Sequence, residues 1–120
     1  FNSFSQWQKY KEKAKGKVSC GLRINPEVSA SPTDIYNPCT AYSRLGITKK
    51  EFKDDELDGI EGLHFHALCE QGADELLMVL EGFEDKFGHI IKKMKWVNFG
   101  GGHHITKEGY DVEKLINLIK

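Results

Sequence analysis

Apolar residues recur at helical spacing in three stretches of the chain. The first covers about 5–15, where Ser3-Phe4-Ser5-Gln6 has the spacing of a capping box and Gly16 is a natural stop. The second is expected to end at Gly88, and the third begins at Asp111. The apolar stripes of the second and third stretches are Ala73, Leu76, Leu77, Leu80, Phe83 and Phe87, and Val112, Leu115, Ile116 and Ile119. Three amphipathic helices are therefore predicted.

Short apolar runs with strand character alternate with these helices. They cover 18–24, 63–67 and 96–99. Strand and helix alternation predicts an α/β fold, with a parallel sheet covered by outer helices. Three strands are too few for a complete TIM (β/α)8 barrel, which takes about 250 residues. We therefore expect 1–120 to be the central portion of a TIM (β/α)8 barrel within a longer polypeptide.

A long loop follows the first predicted strand. It spans about twenty residues and carries the three prolines Pro26, Pro32 and Pro38. Loops of this length are usually functional or disordered. Beyond it, Thr48-Lys49-Lys50-Glu51 is another capping-box candidate, which predicts a short helix with Phe52 as its apolar contact.

Composition narrows the classes of function. The chain is 39% hydrophobic and 29% charged, with a formal net charge of -1, as in ordinary globular proteins. The charge balance disfavours a nucleic-acid partner, and no apolar stretch approaches the roughly 18 residues of a membrane span. Cys20, Cys39 and Cys69 are odd in number and lack CxxC spacing, so a disulfide framework is not expected and a reducing cytoplasm fits.

Three consecutive glycines, Gly100, Gly101 and Gly102, follow the last predicted strand. Without Cβ atoms, their backbone amides can converge on a phosphate at the end of a parallel strand, which is where α/β proteins bind such ligands. A flexible solvent loop is the alternative.

Two histidines share the inward face of the second predicted strand. Alternation directs Leu63, Phe65 and Ala67 to the outer helices, which leaves His64 and His66 facing the barrel interior. A functional role is favoured for His66, because it lies nearer the carboxyl end of the strand. For His64, a hydrogen-bonded core position is an equal alternative. A zinc-dependent barrel hydrolase that uses both, completed by ligands from the set His103, His104 and Cys69, is another.

Several segments together resemble the alanine racemase-type barrel decarboxylases, whose cofactor is pyridoxal 5'-phosphate. They are Gly62-Leu63-His64-Phe65-His66-Ala67-Leu68-Cys69-Glu70, Ser43-Arg44-Leu45-Gly46 and Asn98-Phe99-Gly100-Gly101-Gly102-His103-His104. Three further segments are most similar to the members that act on carboxylated polyamines in bacterial polyamine synthesis. They are Gly21-Leu22-Arg23-Ile24-Asn25-Pro26-Glu27, Tyr36-Asn37-Pro38-Cys39 and Gly102-His103-His104-Ile105-Thr106.

The resemblance implies roles for matching positions. His66 would stack on the cofactor ring, and the three glycines at 100–102 would hold its phosphate through backbone amides. Arg44 would pair with an acidic group on the cofactor side of the barrel, or brace the long loop. Cys69 stands where many relatives have serine, and a buried structural cysteine is the favoured interpretation. Glu70, His103 and His104 are candidates for the substrate or for support of the site, and no metal is implied.

The remaining implications concern the full-length protein. The Schiff-base lysine is expected upstream of the matched residues, and a C-terminal β-domain beyond them, with two subunits sharing sites in a homodimer. The segment alone is therefore expected to be inactive. Alternatives are a diaminopimelate or other basic amino-acid decarboxylase of the same fold, and a non-enzymatic carrier of pyridoxal phosphate.

Overall fold

A computed structural model describes residues 1–28 and 37–120. Pro32, in the middle of the long loop, lies outside the described residues. The elements in chain order are α1 (Phe4–Ala14), β1 (Cys20–Arg23), a 3₁₀ turn (Lys49–Glu51), β2 (Ile60–His64), α2 (Ala73–Ile91), β3 (Trp96–Asn98) and α3 (Val112–Ile119).

The three strands form a parallel sheet in the order β1, β2, β3. Gly21, Gly62 and Trp96 stand in register across it, and two residues further along Arg23, His64 and Asn98 do the same. Parallel strands alternating with helices confirm the predicted α/β class. All three carboxyl ends therefore meet at one edge of the sheet.

Neither of the two predicted capping boxes has the expected pair of hydrogen bonds. Ser3 accepts the Gln6 amide at 3.2 Å, but the Gln6 side chain accepts from the Asn2 amide at 2.8 Å. At the second candidate, the Thr48 hydroxyl donates to the Glu51 carboxylate at 3.2 Å and makes no capping bond to the backbone. The predicted short helix is accordingly a single 3₁₀ turn.

The prediction that Gly88 ends the second helix is wrong, because α2 continues to Ile91. Glycine inside a helix costs about 0.5–1 kcal/mol relative to alanine. Fully burying a side chain such as Ile90, which has no exposed surface, gives about 1.5–3 kcal/mol. Packing of the last helical turn therefore outweighs the weak propensity of one residue.

The predicted bounds of the second strand are also displaced. β2 ends at His64, three residues before the predicted end, because its partner β3 ends at Asn98 and the glycine turn follows. The predicted alternation nevertheless holds, since Leu63 and Phe65 are fully buried while His64 and His66 are half-buried. His66 consequently lies on the segment just beyond the strand.

The helices cover one face of the sheet through an aromatic core. Six phenylalanines contact one another in sequence, with ring centroids 5.1–6.2 Å apart. They are Phe4, Phe52, Phe87, Phe83, Phe65 and Phe99. In α3 only Leu115 of the predicted apolar face is buried. No helix among the described residues has the length and apolarity to cross a membrane.

The opposite face of the sheet carries a tryptophan over two glycines. A Cβ on Gly62 would lie 2.1 Å from the Trp96 ring, and one on Gly21 would lie 2.4 Å from it. The indole nitrogen donates to the Ser19 hydroxyl at 2.8 Å. Trp96 thus forms a floor below the polar row of Arg23, His64 and Asn98.

Candidate functional site

A cleft of about 620 Å³ opens at the carboxyl ends of the strands. Among the side chains and backbone that line it are those of Arg23, His64, His66, Cys69, Glu70 and Gly102. The fold therefore gathers residues from β1, from the end of β2 and from the glycine turn after β3. This is the edge of a parallel sheet where α/β proteins bind their ligands.

The glycine turn packs directly on the segment that follows β2. Gly100 and Gly102 have positive φ of 74° and 90°. A Cβ would lie 2.5 Å from the Phe65 carbonyl oxygen at Gly100, and 2.1 Å from the Leu68 carbonyl oxygen at Gly102. At Gly101 a Cβ would meet no atom within 4 Å. Two of the three glycines are therefore required by packing, whereas Gly101 faces open space.

His66 receives a hydrogen bond from this turn. The Gly101 amide lies 3.4 Å from Nδ1 of His66, and a backbone amide can only donate. Nδ1 is therefore unprotonated in this arrangement, and the neutral ring carries its proton on Nε2. The pKa of His66 is lowered by burial first, and by the positive charges of Arg23 and His64 second. The site thus favours a neutral imidazole beside the turn.

Arg23 was not singled out as a site residue in the sequence. It pairs in register with His64 and contributes to lowering the pKa of His66. Strand alternation could have identified it. Arg23 stands between the buried Leu22 and Ile24, so its side chain lies on the inward face of the sheet, as those of the two histidines do. A charged residue on that face belongs to the site by the same argument that selected the histidines.

Cys39 is a second residue that sequence reasoning missed. Its buried Sγ lies 3.6 Å from the His66 carbonyl oxygen, to which the thiol donates. Burial raises the pKa of this thiol to about 11, against the lowering effects of Arg23 and Lys86. The end of the long loop thereby braces the His66 backbone with a protonated thiol.

The favoured interpretation of Cys69 as a buried cysteine is wrong, because the residue is exposed. Its amide donates to the Gln71 side chain at 3.2 Å, and it borders the cleft just after the segment that contacts Gly102. The buried cysteines are Cys20 and Cys39. Residue type alone gave the wrong answer because Cys69 lies beyond the end of the strand, in a turn that follows the core.

Arg44 is not brought together with the glycine turn. It is exposed and borders a different cleft, next to Asn2 and Glu51. Its carbonyl oxygen accepts from the Asn2 side chain at 2.7 Å. The following residue, Leu45, borders the cleft that contains His66. Of the two suggested roles for Arg44, its position is the one expected for bracing the loop.

The other candidate residues lie around the mouth of the cleft. His103 is half-buried, with Nδ1 3.1 Å from the Tyr110 hydroxyl, whereas His104 is exposed. Glu70 has an unusual positive φ of 52° and borders both the His66 cleft and a neighbouring one of about 630 Å³ that includes His104. Among the described residues, no three His, Cys, Asp or Glu side chains form a group that could hold a metal ion.

Known proteins resemble this chain over its whole length. It is 61% identical over 120 residues to carboxynorspermidine/carboxyspermidine decarboxylase of Campylobacter jejuni subsp. jejuni, covering 100% of this chain and 31% of that protein. It is 42% identical to carboxyaminopropylagmatine decarboxylase of Synechocystis sp., covering 99% of this chain and 31% of that protein. No protein-family model matches.

A solved structure has the same fold over this segment. The crystal structure of carboxynorspermidine decarboxylase complexed with norspermidine, from Campylobacter jejuni, matches with a TM-score of 0.85 and 58% identity. The match covers 98% of this chain and 29% of that one. The resemblance to decarboxylases of polyamine synthesis is confirmed, and the chain spans about a third of the length of the curated relatives it matches.

Proposed function

We infer that the chain is a segment of an enzyme of the carboxynorspermidine/carboxyspermidine decarboxylase family. We propose that the full-length enzyme removes carbon dioxide from a carboxylated polyamine with pyridoxal 5'-phosphate as cofactor. The observation that carries this proposal is the glycine turn at Gly100–102, packed against the His66 segment at the carboxyl ends of three parallel strands. The alternative hypothesis, a diaminopimelate decarboxylase of the same fold, is distinguished from this proposal by substrate tests.

The residues present fit the phosphate of the cofactor. Gly100 and Gly102 fix the turn by close packing, while the position of a Cβ on Gly101 is open space. The amides of Gly100 and Gly101 already donate within the protein, so we propose that the Gly102 amide binds the phosphate, since backbone amides in such a turn suit an anion. Arg23 adds a positive charge on the inward face of the sheet. When bound, the cofactor supplies the electron sink that the loss of carbon dioxide requires.

His66 is proposed to hold the plane of the cofactor ring. Its own ring is fixed at Nδ1 by the Gly101 amide and through its backbone by Cys39. A neutral imidazole offers a flat surface for stacking without a charge that repels a protonated pyridine ring. The lowered pKa of His66 keeps this neutral form near physiological pH.

A polyamine substrate brings ammonium groups, which require carboxylates or aromatic walls. Glu70 borders the His66 cleft, and we propose that it faces such a group. His103 and His104 are proposed to support this side of the cleft rather than to bind the cofactor. An exposed carboxylate near the start of α2 is the alternative account of Glu70.

The rest of the enzyme is proposed to supply what this segment does not contain. These parts are proposed to be the Schiff-base lysine, the other barrel strands and a C-terminal domain. We also propose that the enzyme is a homodimer in which each active site contains residues of both subunits. The free thiols Cys20, Cys39 and Cys69 agree with a reducing compartment, and we propose the cytoplasm.

The deciding experiment uses the full-length protein. After dialysis, its near-ultraviolet and visible spectrum is recorded with and without borohydride, together with elemental analysis for zinc. A reducible band without stoichiometric zinc is expected. Release of carbon dioxide from carboxynorspermidine, carboxyspermidine, carboxyaminopropylagmatine and diaminopimelate then identifies the substrate. A colourless protein with tightly bound zinc would overturn the proposal in favour of the metal-dependent hydrolase.

A pH prediction follows from the lowered pKa of His66. In the unfolded chain His66 titrates near 6.5 and in the folded chain lower, so the unfolded state binds more protons between the two values. The stability contributed by the neutral ring is therefore present above pH 6.5 and lost as the pH falls through the folded pKa. We expect the urea midpoint of cofactor-free protein to fall more steeply below about pH 6.5 for the parent than for His66→Gln. Equal slopes would contradict the assigned protonation state.

A further inference from the structure

Asn98 joins the glycine turn to the inward histidine of β2. Its Oδ1 lies 2.9 Å from Nδ1 of His64 and 2.8 Å from the Gly100 amide nitrogen. The backbone amide can only donate, so the Asn98 atom facing it is the oxygen. That oxygen can only accept, so Nδ1 of His64 carries a proton. One amide oxygen therefore binds both partners and fixes the tautomer of His64.

Asn98 binds the glycine turn at its first residue. Gly100 is the first residue of the turn and has a positive φ, so its conformation sets the direction of the residues that follow. The Gly100 amide is directed at Asn98, whereas the next amide, of Gly101, is directed at His66 in the cleft. The first two amides of the turn are thus both bonded within the protein, the first of them by Asn98.

We propose that Asn98 is a positioning residue for the phosphate of the cofactor. It holds Gly100 in place, so that the rest of the turn faces the phosphate, and it keeps His64 protonated at Nδ1. This inference rests on the proposed function, because the turn has a phosphate to bind only if the cofactor is pyridoxal phosphate. It assigns His64 a role in supporting the turn, distinct from the stacking proposed for His66.

The choice of an amide over a carboxylate at this position is part of the inference. An aspartate would accept the same two hydrogen bonds but would add a negative charge next to the phosphate. The other charged or titratable groups that line the cleft with His64 are Arg23, His66, Cys69 and Glu70, and all four stay unchanged in the variants.

The test measures the dissociation constant of pyridoxal phosphate for the cofactor-free full-length protein. Asn98→Ala is expected to bind about 10-fold more weakly, through the loss of two hydrogen bonds. Asn98→Asp is expected to bind more weakly than the parent as well, because the added carboxylate repels the phosphate. Asn117→Ala, on the exposed face of α3, is the neutral control.

Two measurements separate this inference from a merely structural effect. Raising the salt concentration is expected to reduce the loss of affinity caused by Asn98→Asp relative to that caused by Asn98→Ala, because only the carboxylate adds a charge, which salt screens. Nitrogen NMR of histidine-labelled, cofactor-free protein is expected to show Nδ1 protonated for the signal that disappears in His64→Gln. Parent-like affinity of Asn98→Ala, or the opposite tautomer, would overturn the inference. A parent that binds no cofactor would instead overturn the proposed function, while the tautomer would still report on the hydrogen bond.

Discussion

Replacing Gly102 with alanine is expected to weaken the binding of pyridoxal phosphate to the full-length enzyme by about 100-fold. The backbone of Gly102 has a φ of 90°, and an added Cβ would lie 2.1 Å from the Leu68 carbonyl oxygen and 2.4 Å from its carbon. Both contacts are to backbone, so no side-chain rotation relieves them. A left-handed backbone costs about 1–2 kcal/mol for a residue with a Cβ, and overpacking about 1–3 kcal/mol more. The turn must therefore move away from the segment that follows β2.

Two alanine variants in the same region separate these costs. Gly101→Ala adds its methyl group in open space without a positive φ, and Gly109→Ala adds one in open space at a φ of 79°. Gly101→Ala is expected to keep the stability of the parent, and Gly109→Ala to lose only the cost of the backbone conformation. Thermal unfolding of all three variants accompanies the cofactor titration. If Gly102→Ala bound the cofactor as tightly as Gly109→Ala does, packing of the turn on Leu68 would not be what shapes the phosphate site.

Periodicity in the sequence identified the helices and the facing of the strands, because burial repeats with the geometry of each element. The stripe from Ala73 to Phe87 located α2, and alternation placed His64 and His66 on one face. The predicted end of a helix is wrong where a residue of low helix propensity is followed by residues that pack in the core. The end predicted at Gly88 is wrong because helix propensity is a local property, whereas the burial of Ile90 depends on the rest of the core.

The site was less predictable from sequence than the fold, because loops are positioned by distant contacts. A Cβ on Gly46 would lie 2.7 Å from the Ile24 carbonyl carbon. This close approach places Leu45 at the cleft and leaves Arg44 at another one, and no local pattern around Arg44 reveals it. Arg23, in contrast, was accessible to the alternation argument. The resembling segments include both Arg44 and Arg23, but the resemblance implies a role for Arg44 alone.

Replacing Gly62 with alanine is expected to destabilise the full-length enzyme by about 2–3 kcal/mol, the upper range for overpacking. The added Cβ would lie 2.1 Å from ring atoms of Trp96, in the middle of the floor that this indole forms over β1 and β2. The indole must shift, and its hydrogen bond to the Ser19 hydroxyl is then lost. The measurement is the free energy of unfolding from urea titration followed by far-ultraviolet circular dichroism.

The matched control is Gly88→Ala, within α2. Its methyl group meets no atom within 4 Å, so it is expected to stabilise the helix by about 0.5–1 kcal/mol. The opposite signs of the two glycine-to-alanine changes separate packing from backbone propensity. Trp96→Leu should make room for the methyl group, so the loss caused by Gly62→Ala is expected to shrink in the Trp96→Leu background. If the two changes were simply additive, the indole would not be what requires glycine at this position, and the floor below the polar row would have another basis.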